Sequence, residues 1–262
     1  MSTSGFAKPT IVIVPGAWCC PSLYEPLISR LEHVGYNVHA IDLPSNGDPP
    51  SFSPDWQPDV NLISSTVESY ADQSETIVLV AHSAGGASTT EAVRGLSVQD
   101  RRETGKPGGI ERLVYIAAFA PDLGVSPLTH EQVRAAFYWA LLDREIDYPD
   151  PKLAVEILFN DLSPEDVAKY MPSVEKSAWR ARQSAFTEVT YAGWKHIPSS
   201  YLICQNDKAV VPEMQEMTVA QEGSQFDDVV RIQAGHCPFI SQPEVVERFV
   251  RRAAGEKDVV VP

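Results

Sequence analysis

"TIVLVAHSAGGAST", Thr76 to Thr89, carries the decision about the fold. Its first half is an almost unbroken apolar, β-branched run, the pattern of a strand covered on both faces. It then passes at once into Ser83, Ala84, Gly85 and Gly86. Serine and glycine are ordinary turn residues, so a plain strand end is one reading. The sharper reading is a nucleophile on a tight strand-to-helix turn that holds the serine oxygen clear of the sheet. The rest of the chain decides between them.

Five further runs share the character of the first half: "TIVIV" from Thr10, "NVHAIDL" from Asn37, "RLVYIAAFA" from Arg112, "SYLIC" from Ser200 and "DVVRIQA" from Asp228. Strands buried on both faces belong to parallel sheets, and parallel strands need crossover helices. Helical spacing appears between them. "PSLYEPLISRLEHVGY" sets Leu23, Leu27, Ile28 and Leu31 on one face with Gly35 to end it, and "GASTTEAVRGL" follows the third strand directly. "SQPEVVERFVRRAAG" offers Ser241 and Glu244 as a capping box. "GLSVQDRRETGKPGG", residues 95–109, reads as an exposed polar loop. Strand alternating with helix predicts an α/β fold: a mostly parallel sheet of about six strands with helices on both faces.

The alternation breaks over residues 121–198. "LTHEQVRAAFYWALLDREI", "DPKLAVEILFNDL" and "SPEDVAKYMPSVEKSAWRARQSAF" read as successive helices, with Ser163 as an N-cap and Pro164 in the first turn. The expected organisation is therefore one discontinuous core, 1–120 and 199–262, with a helical cap inserted at 121–198. Tyr138, Trp139, Phe159, Trp179 and Phe186 in that insertion are as much candidates for core as for a pocket.

Composition narrows the function. With 35 acidic and 21 basic residues among 262, the formal charge of -14 repels nucleic acid and anionic membranes, which leaves neutral small molecules as the easier partners. No apolar run approaches the roughly 20 residues of a membrane span, and "MSTSGFAKPT" has no signal-like apolar segment, so a cytoplasmic location is expected. Cys19, Cys20, Cys204 and Cys237 form no Cys-x-x-Cys pair and read as free thiols. Adjacent Cys19 and Cys20 lack zinc-ligand spacing, so no metal is expected.

A serine nucleophile needs a base, an acid to orient the base, and donors for the oxyanion. Ser83 follows "TIVLVA", Asp207 follows the strand ending at Cys204, and His236 follows the strand ending near Ile232. In a parallel sheet those ends share one edge, where α/β folds build their sites. The order Ser, Asp, His is that of the α/β-hydrolase elbow. Asp122, after the fourth strand, is a rival for the acid. The N–H of Ala84 lies at a helix start, where partial positive charge favours an oxyanion. A second donor is expected from Ala17 in "VPGAWCC", after the turn at Gly16. Trp18 and Phe239 flank motif residues and are expected to bind substrate, whereas His82 points away from Ser83 and reads as structural.

"GAW", "HVGYNVHAIDLPSNG", "AHSAGG", "YLICQNDKAVVP" and "GHCPFISQPEVV" together resemble the short α/β hydrolases that group plant methylesterases, hydroxynitrile lyases and microbial esterases. The resemblance spans nearly the whole chain. It implies an α/β-hydrolase fold with Ser83 as nucleophile, Asp207 as acid, His236 as base, the Ala17 and Ala84 amides as oxyanion hole, and no cofactor. Family members carry histidine before the loop glycine and glycine two places before the serine; here Pro15 and Ala81 stand there. The lyases of the family have threonine for the loop glycine and lysine after the histidine, where this chain has Gly16 and Cys237. Hydrolysis of an ester or lactone is the favoured expectation. A C–C lyase or cyclase on the same scaffold, or a receptor that keeps the triad, is the alternative.

Overall fold

A computed structural model describes residues 8–46, 56–126, 150–177 and 187–261. The expected helix over "LTHEQVRAAFYWALLDREI" and the aromatics Tyr138, Trp139, Trp179 and Phe186 lie outside the described residues. Six strands are present among the described residues: β1 (Thr10–Val14), β2 (Val38–Ala40), β3 (Thr76–His82), β4 (Gly109–Ile116), β5 (Ser199–Cys204) and β6 (Phe226–Ile232). They form one all-parallel sheet in the order β2-β1-β3-β4-β5-β6. The α/β-hydrolase fold expected from the sequence is the one observed.

Why the strands read as continuous apolar runs is visible in the two cores they divide. Ile11, Ile13, Val78, Val80, Val114, Ile116 and Leu202 pack on one face. Val12, Val14, Ile77, Leu79, Leu113, Tyr115, Tyr201 and Ile203 pack on the other. Each of these four central strands thus alternates between two dry interfaces rather than between core and water, whereas the edge strands β2 and β6 are partly exposed.

The described helices are α1 (Glu25–His33), α2 (Gln57–Ala71), α3 (Gly85–Ala92), α4 (Val98–Glu103), α5 (Pro151–Leu158), α6 (Pro164–Glu175), α7 (Pro212–Val219), α8 (Pro238–Ser241) and α9 (Pro243–Ala253). Leu27 and Leu31 of α1 join the first core with Phe249 and Val250 of α9. Val60, Ile63 and Val67 of α2 join the second with Ala87 of α3. Helices therefore cover both faces. Helix α1 stops where Gly35 takes φ +89, a left-handed conformation that costs glycine nothing. Helices α5 and α6 lie in the chain between β4 and β5; α6 is capped as expected, Ser163 Oγ accepting from the Asp166 N–H at 3.1 Å.

Two local expectations are corrected. Residues 95–109 are not all loop, because Ser97 caps α4 by accepting from the Asp100 N–H at 3.0 Å. Arg101 of α4 is buried, donating to the Pro107 carbonyl at 2.9 Å and pairing with Asp72 at 2.6 Å. Ser241 does not cap α9. It ends α8, Gln242 takes the N-cap position, and the Ser241 hydroxyl donates instead to Asp161 Oδ2 at 2.8 Å.

The strand order places the site. From β1 the chain moves outward to β2 and then returns to β3 on the other side of β1, so the loops after β1 and β3 part in opposite directions. The crevice at such a switch point is where α/β sheets bind ligands.

Candidate active site

Ser83 follows β3 with φ +50, a left-handed conformation that a non-glycine residue takes only where its surroundings enforce it. The enforcement is close packing. A Cβ on Gly85 would lie 2.2 Å from the Pro15 carbonyl oxygen, and one on Gly86 would lie 2.3 Å from that of Phe119. Only glycine lets α3 start so near the sheet, and the turn holds Ser83 at its apex. The Ser83 N–H and C=O are engaged with Ile116 O at 3.3 Å and Phe119 N at 3.1 Å, which ties the turn to β4 and the chain beyond it.

The three residues expected to converge do so. His236 Nε2 is 2.9 Å from Ser83 Oγ, and His236 Nδ1 is 2.8 Å from Asp207 Oδ2. A carboxylate can only accept, so Nδ1 carries the proton and Nε2 presents its lone pair to the Ser83 hydroxyl. All three are buried. The buried carboxylate of Asp207 is fully satisfied. Oδ1 accepts from Ala209 N–H at 2.7 Å and Val210 N–H at 3.0 Å, and Oδ2 accepts from Gln215 Nε2 at 3.1 Å as well as from His236. Gln215 is itself fixed, accepting from Cys204 N–H at 3.0 Å and donating to the Val210 carbonyl at 2.6 Å.

Asp122, the rival acid, is engaged elsewhere: it pairs with Lys195 Nζ at 2.7 Å and accepts from the Leu123 N–H at 2.7 Å. His82 uses both ring nitrogens away from Ser83. Its Nε2 meets the His236 carbonyl oxygen at 3.0 Å, so it donates there, and Nδ1 accepts from the Tyr24 hydroxyl at 2.8 Å. Burial, reinforced by the neighbouring His236, holds the His82 pKa well below its ordinary value. His82 is a neutral strut.

The loop after β1 faces the turn. Asn46 grips it at three points, accepting from Trp18 N–H at 3.0 Å and donating to the carbonyls of Gly16 at 2.9 Å and Cys19 at 3.1 Å. Trp18 sits at φ +59 as the loop reverses. The Gly16 N–H donates to the Tyr24 hydroxyl at 3.1 Å. Among the described residues the N–H groups of Ala17 and Ala84 have no acceptor, as two donors waiting for an anionic oxygen would be.

Trp18 and Phe239 were expected to touch substrate. Phe239 has 0% of its surface exposed, stacking on Tyr24 at 4.3 Å and meeting His82 edge-on at 4.9 Å. Its ring backs the Tyr24–His82 pair. Trp18 is 1% exposed and Phe159 is likewise buried in the same core. Asn46, Tyr24, Gln215 and Asp161 were not singled out from the sequence; no local motif marks them, since each acts on a partner distant in the chain or through backbone groups.

All four cysteines are free, and burial pushes Cys19 up to about 12 and Cys237 well above its ordinary value. Among the described residues no cluster of three or more histidine, cysteine or acidic side chains could hold a metal, and no helix is long and apolar enough to cross a membrane.

Comparison with known proteins agrees with this fold. Residues 11–249 match the family described as "Alpha/beta hydrolase family". The chain is 36% identical to the alpha/beta hydrolase nvfD of Aspergillus novofumigatus over 95% of its own length and 98% of that protein. It is 25% identical to Methylesterase 7 of Arabidopsis thaliana over 88% of its length and 89% of that protein. Among solved structures, polyneuridine aldehyde esterase superposes with a TM-score of 0.72 at 21% identity, covering 94% of this chain and 99% of that one.

Proposed function

The chain belongs to the alpha/beta hydrolase family, and on that footing we propose that it is a serine hydrolase cleaving a neutral, mostly apolar carboxylic ester or lactone through an acyl-enzyme. The observation that carries the reading is the continuous relay from Ser83 Oγ through His236 to Asp207, with links of 2.9 and 2.8 Å, mounted on a strained turn.

In this reaction Ser83 Oγ attacks the carbonyl carbon while its proton passes to His236 Nε2. Asp207, accepting from Nδ1, stabilises the imidazolium. The oxyanion falls to the N–H groups of Ala17 and Ala84, which need no reorganisation to receive it. Collapse breaks the carbonyl–alkoxy bond, and the alcohol leaves with the proton from His236. Water deprotonated by His236 then attacks the acyl group, and Ser83 departs as the hydroxyl. A lactone takes the same course with its alcohol still tethered. No step uses a metal or an organic cofactor.

A substrate without charge suits the -14 net charge of the protein. The methylesterase among its relatives supports a carboxylic ester. The Cys237 thiol, kept neutral by burial, stands where the lyases of the family carry lysine, and a neutral thiol offers a departing cyanide no cation. We assign the insertion at 121–198, which contributes α5 and α6, the role of covering the substrate, and the free thiols suit the cytoplasm.

A fluorophosphonate probe should label Ser83 alone, and hydrolysis in oxygen-18 water should place the label in the product acid. Labelling of Ser83 without turnover of any ester or lactone in a broad panel would replace this reading with that of a lyase, a cyclase or a receptor.

A further inference from the structure

Two adjacent residues between α5 and α6 reach the loops of both the acid and the base. Asn160 Nδ2 donates to the carbonyl of Asn206 at 2.9 Å, and Asn206 immediately precedes Asp207. Asp161 Oδ2 accepts from the N–H of Gly235 at 2.6 Å, and Gly235 immediately precedes His236. The same oxygen accepts from Ser241 Oγ at 2.8 Å, which fixes the chain beyond His236 as well. The two loops are already joined by Asn206 N–H donating to the Ala234 carbonyl at 3.0 Å. Asn160 and Asp161 close that pair from the side of the insertion.

The approach demands a glycine. A Cβ on Gly235 would stand 2.5 Å from Asn160 Oδ1 and 2.5 Å from Asp161 Oδ1, so any other residue would require the two side chains to shift. Those two oxygens are buried and have no hydrogen-bond donor among the described residues. Leaving two buried acceptors unpaired is costly, and such a cost persists at sites where geometry matters more than stability.

We propose that Asn160 and Asp161 are positioning residues, a clamp by which the insertion between β4 and β5 holds the Asp207 and His236 loops in register. The proposal deepens the serine-hydrolase reading and, as kinetics, rests on it. The clamp touches neither substrate nor the reacting atoms. It acts through Asn206 and Gly235 on the 2.8 Å contact between Asp207 and His236, where misplacement by an ångström can cost about a hundredfold in rate.

The test compares three variants with the wild type. Asp161→Ala should lower kcat by about ten- to a hundredfold with KM nearly unchanged, and should weaken or abolish the downfield proton NMR signal of His236 Nδ1–H. Asp161→Asn keeps an acceptor for Gly235 and Ser241, so it should retain both. Ser163→Ala removes the cap of α6 and should lower Tm without altering kcat or the signal. If Asp161→Ala merely lowers Tm as Ser163→Ala does, or if Asp161→Asn is as impaired as Asp161→Ala, the clamp is refuted. Should Asp161→Ala fail to fold, Asn160→Ala, which frees only the Asn206 carbonyl, carries the same prediction. If the wild type itself turns over no ester, the hydrolase reading fails separately. The Nδ1–H signal needs no substrate and then decides the clamp alone, its loss in Asp161→Ala supporting it and its persistence overturning it.

Discussion

Asp207→Asn exchanges one carboxylate oxygen for an amide, and the hydrogen bonds around it determine how the imidazole responds. Two donors face each oxygen: Ala209 and Val210 N–H on Oδ1, His236 Nδ1 and Gln215 Nε2 on Oδ2. The single oxygen of asparagine can serve only one side. The backbone amides cannot give up their protons, whereas imidazole can shift its own from one nitrogen to the other. The asparagine oxygen therefore stays with Ala209 and Val210, its NH2 faces His236 Nδ1, and the imidazole proton moves to Nε2. That nitrogen, 2.9 Å from Ser83 Oγ, then offers a proton where a lone pair is needed. Loss of the correct tautomer should lower kcat by about four powers of ten, or roughly 5 kcal/mol of transition-state stabilisation. Asp122→Asn breaks only a partly exposed pair with Lys195 and should cost less than about 1 kcal/mol of stability and almost nothing in rate. Steady-state hydrolysis of a p-nitrophenyl ester and the rate of fluorophosphonate labelling, run on both variants, measure the difference. An Asp207→Asn enzyme within tenfold of the wild type, or an Asp122→Asn enzyme that is the worse of the two, would refute the assignment of the acid.

Gly16→Ala should depress kcat by about two to three powers of ten, because its Cβ would stand 2.7 Å from Ser83 Cβ and 3.0 Å from His82 Nδ1 and would drive the Ala17 N–H away from the developing oxyanion; kcat near that of the wild type would mean that Ala17 takes no part. Asp59 supplies a pH dependence of stability, since burial outweighs its hydrogen bonds from Ser45 and raises its pKa from 3.8 to about 6. A raised carboxyl favours the folded state at low pH and loses that contribution as pH climbs through about 4 to 6, so urea unfolding should show the wild type losing about 3 kcal/mol relative to Asp59→Asn between pH 3.5 and 7, and a constant difference would contradict it.

The features legible in the sequence were those that depend on local pattern. Continuous apolar runs announced β1, β3, β4 and β5 because a strand between two dry cores has no polar face to interrupt it, while the edge strands β2 and β6 were legible from shorter apolar stretches although His39, Asp227 and Arg231 are exposed. The triad residues were legible because each ends a strand of one parallel sheet. Helix α2 went unread although Val60, Ile63, Val67 and Ala71 recur at helical spacing, since polar residues fill the positions between them. Helix α4 was hidden for a different reason: its chief buried residue is Arg101, and a charge satisfied by Asp72 and the Pro107 carbonyl does not register as core in any hydrophobic pattern. Ser241 carried a true capping signature, but Asp161, 80 residues away, took its hydroxyl. Long-range polar partners leave no periodic trace in a sequence.

Pro15 shows what a motif position can conceal. It stands where the resemblance calls for a histidine, and it brings neither an imidazole nor an N–H; its carbonyl is what the start of α3 packs against. The polar link between the loop after β1 and the turn runs instead through Tyr24, whose hydroxyl accepts from Gly16 N–H and donates to His82 Nδ1. His82 Nε2–H carries the chain on to the carbonyl of His236, so the loop with the expected oxyanion donor and the loop with the base are tied to one buried pair. Burial holds the Tyr24 pKa well above its ordinary value and that of His82 well below, so both stay neutral around pH 7. A chain of neutral groups would keep its donors and acceptors while His236 gains and loses a proton in the proposed reaction. The Ala17 amide, the proposed oxyanion donor, would then keep its aim through every change of charge that the proposed relay undergoes.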